Sequence, residues 1–357
     1  MKFSHYAMGT DFEIFIAGQE EEYARQAAAA VFAEIDRIEG ILSRYDPRSD
    51  VGQLSLLNPG QSLPVGIELI ECLQLAEEVY HSTKGAFDVT LGSLPETFDN
   101  KGADPELTQT KKNSACTGFD RFYFAENGAV FFDTGKRRPG SSFEPQENPA
   151  LNGSPLTITL TGEKAGSPGG GYLNLDFGGI GKGYALDKSL EILSDWDIHR
   201  ALLHGGASTA IAIGDAPGDT PGDSPAGKTG NAAAAAAQGV TGKIPASLPR
   251  EKGWPVGLAG ETFYLFNRAL SGSGKEVKGE HILDPKTGEP ACGHRSAWVV
   301  HSSAAVADAL STAFVVMQPA EVEAFCAAYP FIFARVIESS GTVKTYKRTA
   351  GVGDPSL

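Results

Sequence analysis

What this chain lacks bounds it first. Its four cysteines, Cys72, Cys116, Cys292 and Cys326, are widely spaced and form no CxxC pair, so neither a zinc ribbon nor a redox dithiol is expected. No run reaches the roughly 20 apolar residues of a membrane span. Positive charge is short too, with 30 Lys+Arg against 44 Asp+Glu and a net charge of −14. That balance argues against a binder of nucleic-acid backbones or of anionic membrane surfaces. A small anionic ligand stays open, because a local metal can invert the sign of a site. The opening Met1-Lys2-Phe3-Ser4-His5-Tyr6-Ala7-Met8-Gly9-Thr10 holds no apolar signal core and no lipoprotein-type cysteine. The expected location is cytoplasmic for the chain as given, or envelope-associated if an export signal has been removed.

What is there suits a large folded core: 357 residues, of which 41% are hydrophobic. Phe12–Ile16 reads as a strand. The stripe Val31, Ile35, Ile38, Leu42 predicts a helix from about Glu20 to Leu42, ended by the turn at Ser43–Pro47. Leu69, Leu73, Ala76 and Tyr80 predict a second from about Ile67 to Ser82. Phe122–Phe124 and Val130–Phe132 look like a hairpin, and Gly135–Gly153 like a surface loop. Gly-Asp-x-Pro occurs three times from 214 to 225, and six alanines follow at 232–237. With so little apolar surface, residues 214–253 are expected to be a flexible insertion. Short strands are expected at Pro255–Leu258, Phe263–Phe266, Trp298–Val300 and Phe331–Phe333, with a helix from Ala304 to Met317. Clustered strands and helices without strict alternation predict an α+β fold of mixed sheets with packed helices.

Three segments carry chemistry. The first is Asp176-Phe177-Gly178-Gly179-Ile180-Gly181-Lys182-Gly183-Tyr184-Ala185-Leu186-Asp187, between a strand-like Tyr172–Leu175 and a helical pattern in Leu186, Leu190 and Leu193. Glycines let a backbone approach a ligand, and a helix N-terminus presents free N–H groups to anions. Neither the Walker loop nor G-x-G-x-x-G fits this run, so a packing turn and a phosphate site both remain open. The second is the apolar helix with Asp308 and Thr312 at i and i+4, one face of which could hold a hard cation. Against this stands a Thr312 bonded to its own helix, with Asp308 at the surface and Val306, Leu310, Ala313 and Met317 buried. The third is His281–Pro290, where a turn at Asp284–Gly288 would fix His281 on the edge of the preceding segment, as a structural residue or as a general base if a proton donor comes within reach. Ser271 and Ser273 just upstream could line a phosphate channel. Phe87 and Tyr45 could stack on a flat heterocycle, or simply pack in a core.

In order along the chain, Ala7–Thr10, Leu42–Tyr45, Gly85–Thr90, Asp176–Asp187, His281–Gly288 and Ala307–Thr312 resemble the FAD:protein FMN transferase family, the ApbE-like proteins. The resemblance implies one ApbE-like catalytic domain over residues 1–350, in one lobe or two. It implies an enzyme that takes FAD as substrate with Mg²⁺ and attaches FMN through a phosphoester to a Ser or Thr hydroxyl of an acceptor protein, releasing AMP. Asp308, Thr312 and the Gly179 carbonyl match metal ligands. Met8, Tyr45, Ala86, Phe87, Asp88, Asp176, Lys182 and Leu283 match flavin-nucleotide contacts, and His281 matches the base. The alternatives are a metal-dependent FAD pyrophosphatase giving FMN and AMP, and a non-catalytic flavin-binding protein. His204 stands where a small or amide residue is expected, and is read as structural.

Overall fold

The computed structural model describes residues 1–93, 118–119, 122–124, 130–133, 156–161, 173–217, 253–258, 261–275, 279 and 281–347. Strand β2 (Thr10–Ile16) buries Phe12, Ile14 and Ile16 and turns the residues between them outward, the period-2 pattern of a sheet. It pairs with β1 (Lys2–Ala7) through a two-residue turn at Met8 and Gly9, both at positive φ. The sheet continues through β7 (Ala201–Gly205), β8 (Thr209–Ile213), β11 (Arg268–Gly274), β12 (His294–His301), β13 (Phe333–Glu338) and β14 (Val343–Tyr346), with β8 buried along its whole length. These form an eight-stranded antiparallel sheet in the order β1-β2-β7-β8-β11-β12-β13-β14.

One face of this sheet carries the helices. They are α1 (Glu21–Leu42), α2 (Asp50–Leu54), α3 (Ile67–Ser82), α4 (Gly181–Asp195), α5 (Ala304–Val316) and α6 (Pro319–Ala328). Val31, Ile35 and Ile38 of α1 join Leu190 and Leu193 of α4 and Leu310 and Phe314 of α5 in one core with Ile14, Leu203 and Val299 of the sheet. Burying each such side chain stabilises the fold by about 1.5–3 kcal/mol. The opposite face is covered by the hairpin β9 (Trp254–Leu258) and β10 (Glu261–Leu265). Trp254, Val256, Phe263 and Leu265 pack there on Leu202, Ala212, Leu270 and Val300. A smaller sheet follows the order β3 (Ser62–Pro64), β6 (Thr157–Thr161), β5 (Val130–Asp133), β4 (Phe122–Phe124). The architecture is α+β, as expected, and the β4–β5 pair is the hairpin expected from its aromatic runs.

Several local expectations shift. Helix α5 is buried on every side except at Thr312, not along one stripe, because it lies between the sheet and α4. Leu173–Leu175 form no strand. Gly92 packs against the Asn174 carbonyl, and Asp176 N donates to Val89 O at 2.7 Å, so the segment lies on the 3-10 turn Val89–Ser93 instead. Phe331 and Ile332 precede β13, which begins at Phe333. Two helices escaped the sequence reading, α2 and α6; the second announces itself by Pro319 and a capping box between Gln318 and Glu321. Most of 214–253 lies outside the described residues, as does Gly135–Gly153. Gly214–Ala216 nonetheless belong to the fold: Gly214 N donates to Asn267 Oδ1 at 2.9 Å, and Ala216 is buried. Among the described residues no helix is long and apolar enough to cross a membrane.

Candidate active site

The site forms where β11 runs under α5. Alternation turns Ser271 and Ser273 of β11 to the helix face, while Gly272 and Gly274 face the other way, against Trp298 and Ser296. Two residues of strand span about 6.8 Å and four of helix about 6 Å, so the serines meet Asp308 and Thr312 in step. Ser271 Oγ donates to Asp308 Oδ1 at 3.0 Å, and Ser273 Oγ lies 3.0 Å from Thr312 Oγ1. Thr209, the partner of Ser271 across the β8–β11 register, adds a hydroxyl 3.3 Å from Asp308 Oδ1. Asp308 is 2% exposed, so it is not at the surface. Thr312 does donate to the Asp308 carbonyl at 3.2 Å, alongside its contact with Ser273.

The glycine-rich turn closes the other side. Lys182 Nζ donates to Gly178 O at 3.1 Å and stands 3.4 Å from Asp308 Oδ2. A Cβ on Gly179 would sit 3.1 Å from Thr312 Oγ1 and 3.2 Å from Phe87, so the bare backbone there lies directly against the Thr312 hydroxyl. Asp176 accepts from Gly178 N at 2.8 Å and pairs with Arg44 at 2.7 Å. The Arg44 guanidinium lies 5.3 Å from the centre of the Tyr45 ring, which is 79% exposed. Tyr45 is thus an open aromatic face linked through Arg44 and Asp176 to the turn, suited to a flat ring.

The other expected contacts lie in several settings. Phe87 and Ala86 are buried in the core, Phe87 as the wall behind Gly179. Asp88 accepts from Thr90 N and Oγ1 at 2.8 and 2.7 Å. Met8 is half-buried with φ +49, a strained setting for a residue with a side chain. His281 is exposed, with Nδ1 3.0 Å from Gly279 O, and its ring is not hydrogen-bonded to the Asp308 cluster. Its neighbour Ile282 is tied in: Ile282 O accepts from Ala291 N at 2.8 Å, and Lys275 Nζ donates to Ala291 O. That tether ends two residues from Ser273. Leu283 bridges to Pro290. His204 packs its ring edge on Phe15 at 6.0 Å, paired with Glu13 and one position from Leu203, which faces the helices.

Sequence reasoning missed the partners of these groups. Arg44 lay in a quoted motif but had no assigned role, and Thr209 gave no local signal. Asp187 closed the glycine-rich run unassigned. Its carboxylate accepts from Ser303 Oγ at 2.6 Å, Ala304 N at 2.7 Å and Ala305 N at 3.0 Å, at the start of α5. Burial pushes its carboxyl up to about 6, and those hydrogen bonds only partly offset it. Nearby His301, which accepts from Ser303 N, is pushed by burial down to about 4.

These two groups oppose each other with pH. Asp187, raised from 3.8, contributes stability that is complete below pH 3.8 and lost as pH rises through about 6. His301, lowered from 6.5, contributes stability complete above 6.5 and lost as pH falls through about 4. Removing the histidine unmasks its half. The melting temperature of His301→Leu relative to the parent is expected to shift in the variant's favour as pH falls from 6.5 to 4. A difference constant across that window would show that folded His301 takes up its proton normally.

Among the described residues, no three of His, Cys, Asp and Glu gather into a metal-holding cluster. The oxygen groups that do gather are the Asp308 carboxylate and the hydroxyls of Thr209, Ser271, Ser273 and Thr312, with the Gly179 backbone beside them. This set fits Mg²⁺, which takes hard oxygen ligands and uses one or two carboxylates with substrate phosphate oxygens.

Comparison with known proteins gives the family and the fold. The sequence profile of the ApbE family matches residues 8–333. A Rhodobacter capsulatus protein named FAD:protein FMN transferase is 24% identical over 328 residues, 87% of this chain and 50% of that protein. The chain therefore spans about half the length of that curated relative. The apo crystal structure of the Pseudomonas stutzeri flavinyl transferase ApbE superposes with a TM-score of 0.67 at 20% identity, covering 98% of this chain and 95% of that one. The ApbE protein of Thermotoga maritima gives 0.64 at 21%, covering 97% and 96%. At these identities the solved structures establish the fold, and the profile spans nearly the whole sequence: the chain belongs to the ApbE family.

Proposed function

We propose that this chain is a Mg²⁺-dependent FAD:protein FMN transferase. One observation carries the reading: Asp308, Thr312 and the Gly179 backbone converge beside Lys182, although Lys182 and Asp308 stand 126 residues apart. Mg²⁺ when bound would neutralise diphosphate charge and act as a Lewis acid. Asp308, Thr312 and the Gly179 carbonyl would hold it. Lys182 supplies a fixed positive charge at the turn, and Tyr45 offers its open ring to a flat base. In the transfer, an acceptor Ser or Thr oxygen forms a bond to the FMN phosphorus. The bond from that phosphorus to the bridging oxygen breaks, and AMP leaves with the electron pair. His281, exposed in the segment between β11 and β12, takes the hydroxyl proton.

The test is incubation of the chain with FAD, Mg²⁺ and an acceptor fragment, read by flavin fluorescence in a denaturing gel and by AMP release. Labelled acceptor with AMP is the expected result. Free FMN with an unlabelled acceptor would mark a pyrophosphatase, and no AMP at all a carrier. His281→Ala is expected to slow transfer about a hundredfold or more, the usual weight of a general base. FAD binding should persist, since among the described residues the ring contacts Gly279 O and none of the groups at Asp308. Lost FAD binding in that variant would make His281 a binding residue.

A further inference from the structure

Helix α5 starts with its own cap. Ser303 Oγ accepts from Val306 N at 3.2 Å and Ser303 O from Ala307 N at 3.1 Å. That leaves the Ala304 and Ala305 N–H groups, which a helix start ordinarily gives to water. Here both go to a carboxylate from a different helix. Asp187 takes them together with the Ser303 hydroxyl, and it is 6% exposed. A buried carboxylate is tolerated only where such donors, and the positive end of a helix dipole, replace lost hydration. One turn earlier on the same face of α4, Gly183 has no side chain and packs on the Ala304 carbonyl. Its N–H points to Asp308 Oδ2 at 3.4 Å. Helix α4 therefore grips α5 at its first turn and again at Asp308.

We propose that Asp187 is a positioning residue for the metal-binding group: by holding the first turn of α5, it sets where Asp308 and Thr312 stand relative to the Gly179–Lys182 turn. The lever is short. Asp308 and Thr312 lie one and two turns from Ala304, about 6 and 12 Å along a helix rigid with hydrogen bonds. The turn they face leads directly into α4, so Asp187 ties the two halves of the ligand set to each other. This rests on the reading of Asp308, Thr312 and Gly179 as the Mg²⁺ site.

The experiment uses the full chain at pH 8, where the Asp187 carboxylate is ionised. It measures the Mg²⁺ concentration that half-saturates the rise in melting temperature without FAD, then KM for FAD and kcat with the acceptor fragment. Asp187→Asn keeps the shape but sets an amide N–H₂ against the α5 donors. Its Mg²⁺ midpoint is expected to rise about tenfold, as when groups that orient metal ligands are lost. KM for FAD should stay within about twofold. Ser303→Ala, which removes one of the three bonds to Asp187 together with the bond from Val306 N and leaves Asp187 charged, is expected to raise the midpoint about threefold. An unchanged midpoint in Asp187→Asn, with only a lower melting temperature, would reduce Asp187 to a structural cap and overturn the proposal. Should that variant not fold, Ser303→Ala decides, and an unchanged midpoint there overturns it equally. A parent chain with no Mg²⁺ midpoint overturns the metal site itself and this inference with it, an outcome distinct from the other two.

Discussion

Asp308→Ala is expected to cut Mg²⁺-dependent FAD turnover about a thousandfold or more while leaving the chain folded. A catalytic metal contributes several kcal/mol of charge stabilisation, and each 1.4 kcal/mol or so is a factor of ten in rate. Asp308 is the carboxylate at the centre of the proposed ligand set, so its loss removes most of that contribution. Of the groups left behind, the buried Gly183 N–H loses its contact, while the others keep partners. Thr209 and Ser271 hydroxyls lie 2.9 Å apart and still pair. Lys182 keeps Gly178 O and is 21% exposed to water. AMP release across a Mg²⁺ titration, with a melting curve for each protein, checks both halves. Asp308→Asn, which keeps the shape and removes the charge, should lose as much activity. Normal turnover with a normal Mg²⁺ midpoint in either variant would remove Asp308 from the metal site.

Gly183→Ala should do comparable damage by a different route. Its new Cβ would come within 2.6 Å of Ala305 N and overlap the Ala304 carbonyl. Both are backbone atoms in the first turn of a buried helix, so no side chain can swing away. Helices α4 and α5 must part, at about 1–3 kcal/mol, as when a packed core is overfilled. For a chain of this size that lowers the melting temperature by several degrees. A shift near 1 Å between Lys182 and Asp308 is enough to slow turnover about a hundredfold. Gly181→Ala is the control. A Cβ there meets Phe177 and Leu42 at 3.6 and 3.7 Å, ordinary contact, and both stability and rate should barely move. Equal behaviour of the two variants would mean that close helix packing at Gly183 does not hold the site.

What could be read beforehand follows from how far each signal reaches along the chain. Helices α1, α3 and α5 showed themselves because 3.6-residue periodicity is local, and Asp308 with Thr312 because i, i+4 is one turn. The resemblance pointed to the Asp176–Asp187 run as part of the same site. The partners were illegible. Thr209 reaches Asp308 only because β8 pairs with β11, Arg44 reaches Asp176 across 132 residues, and Asp187 meets a helix start 117 residues later. No window of sequence contains those pairings. Phe87 shows the opposite difficulty: an aromatic ring beside a glycine turn reads alike whether it stacks on a ligand or backs the turn. In the structure Phe87 is 4% exposed and stands behind Gly179.

The bond from Gly214 to Asn267 spans 53 residues of chain and closes their two ends at the sheet. With the ends held together, the length of the excursion enters folding only logarithmically, at about 0.6 kcal/mol for each doubling. Strands β8 and β11 pair with each other, and the β9–β10 hairpin carried between them packs back on the same strands. Between Ala216 and Trp254, with that hairpin kept, lies a natural splice point, where added chain costs little and leaves the helices that carry the chemistry undisturbed.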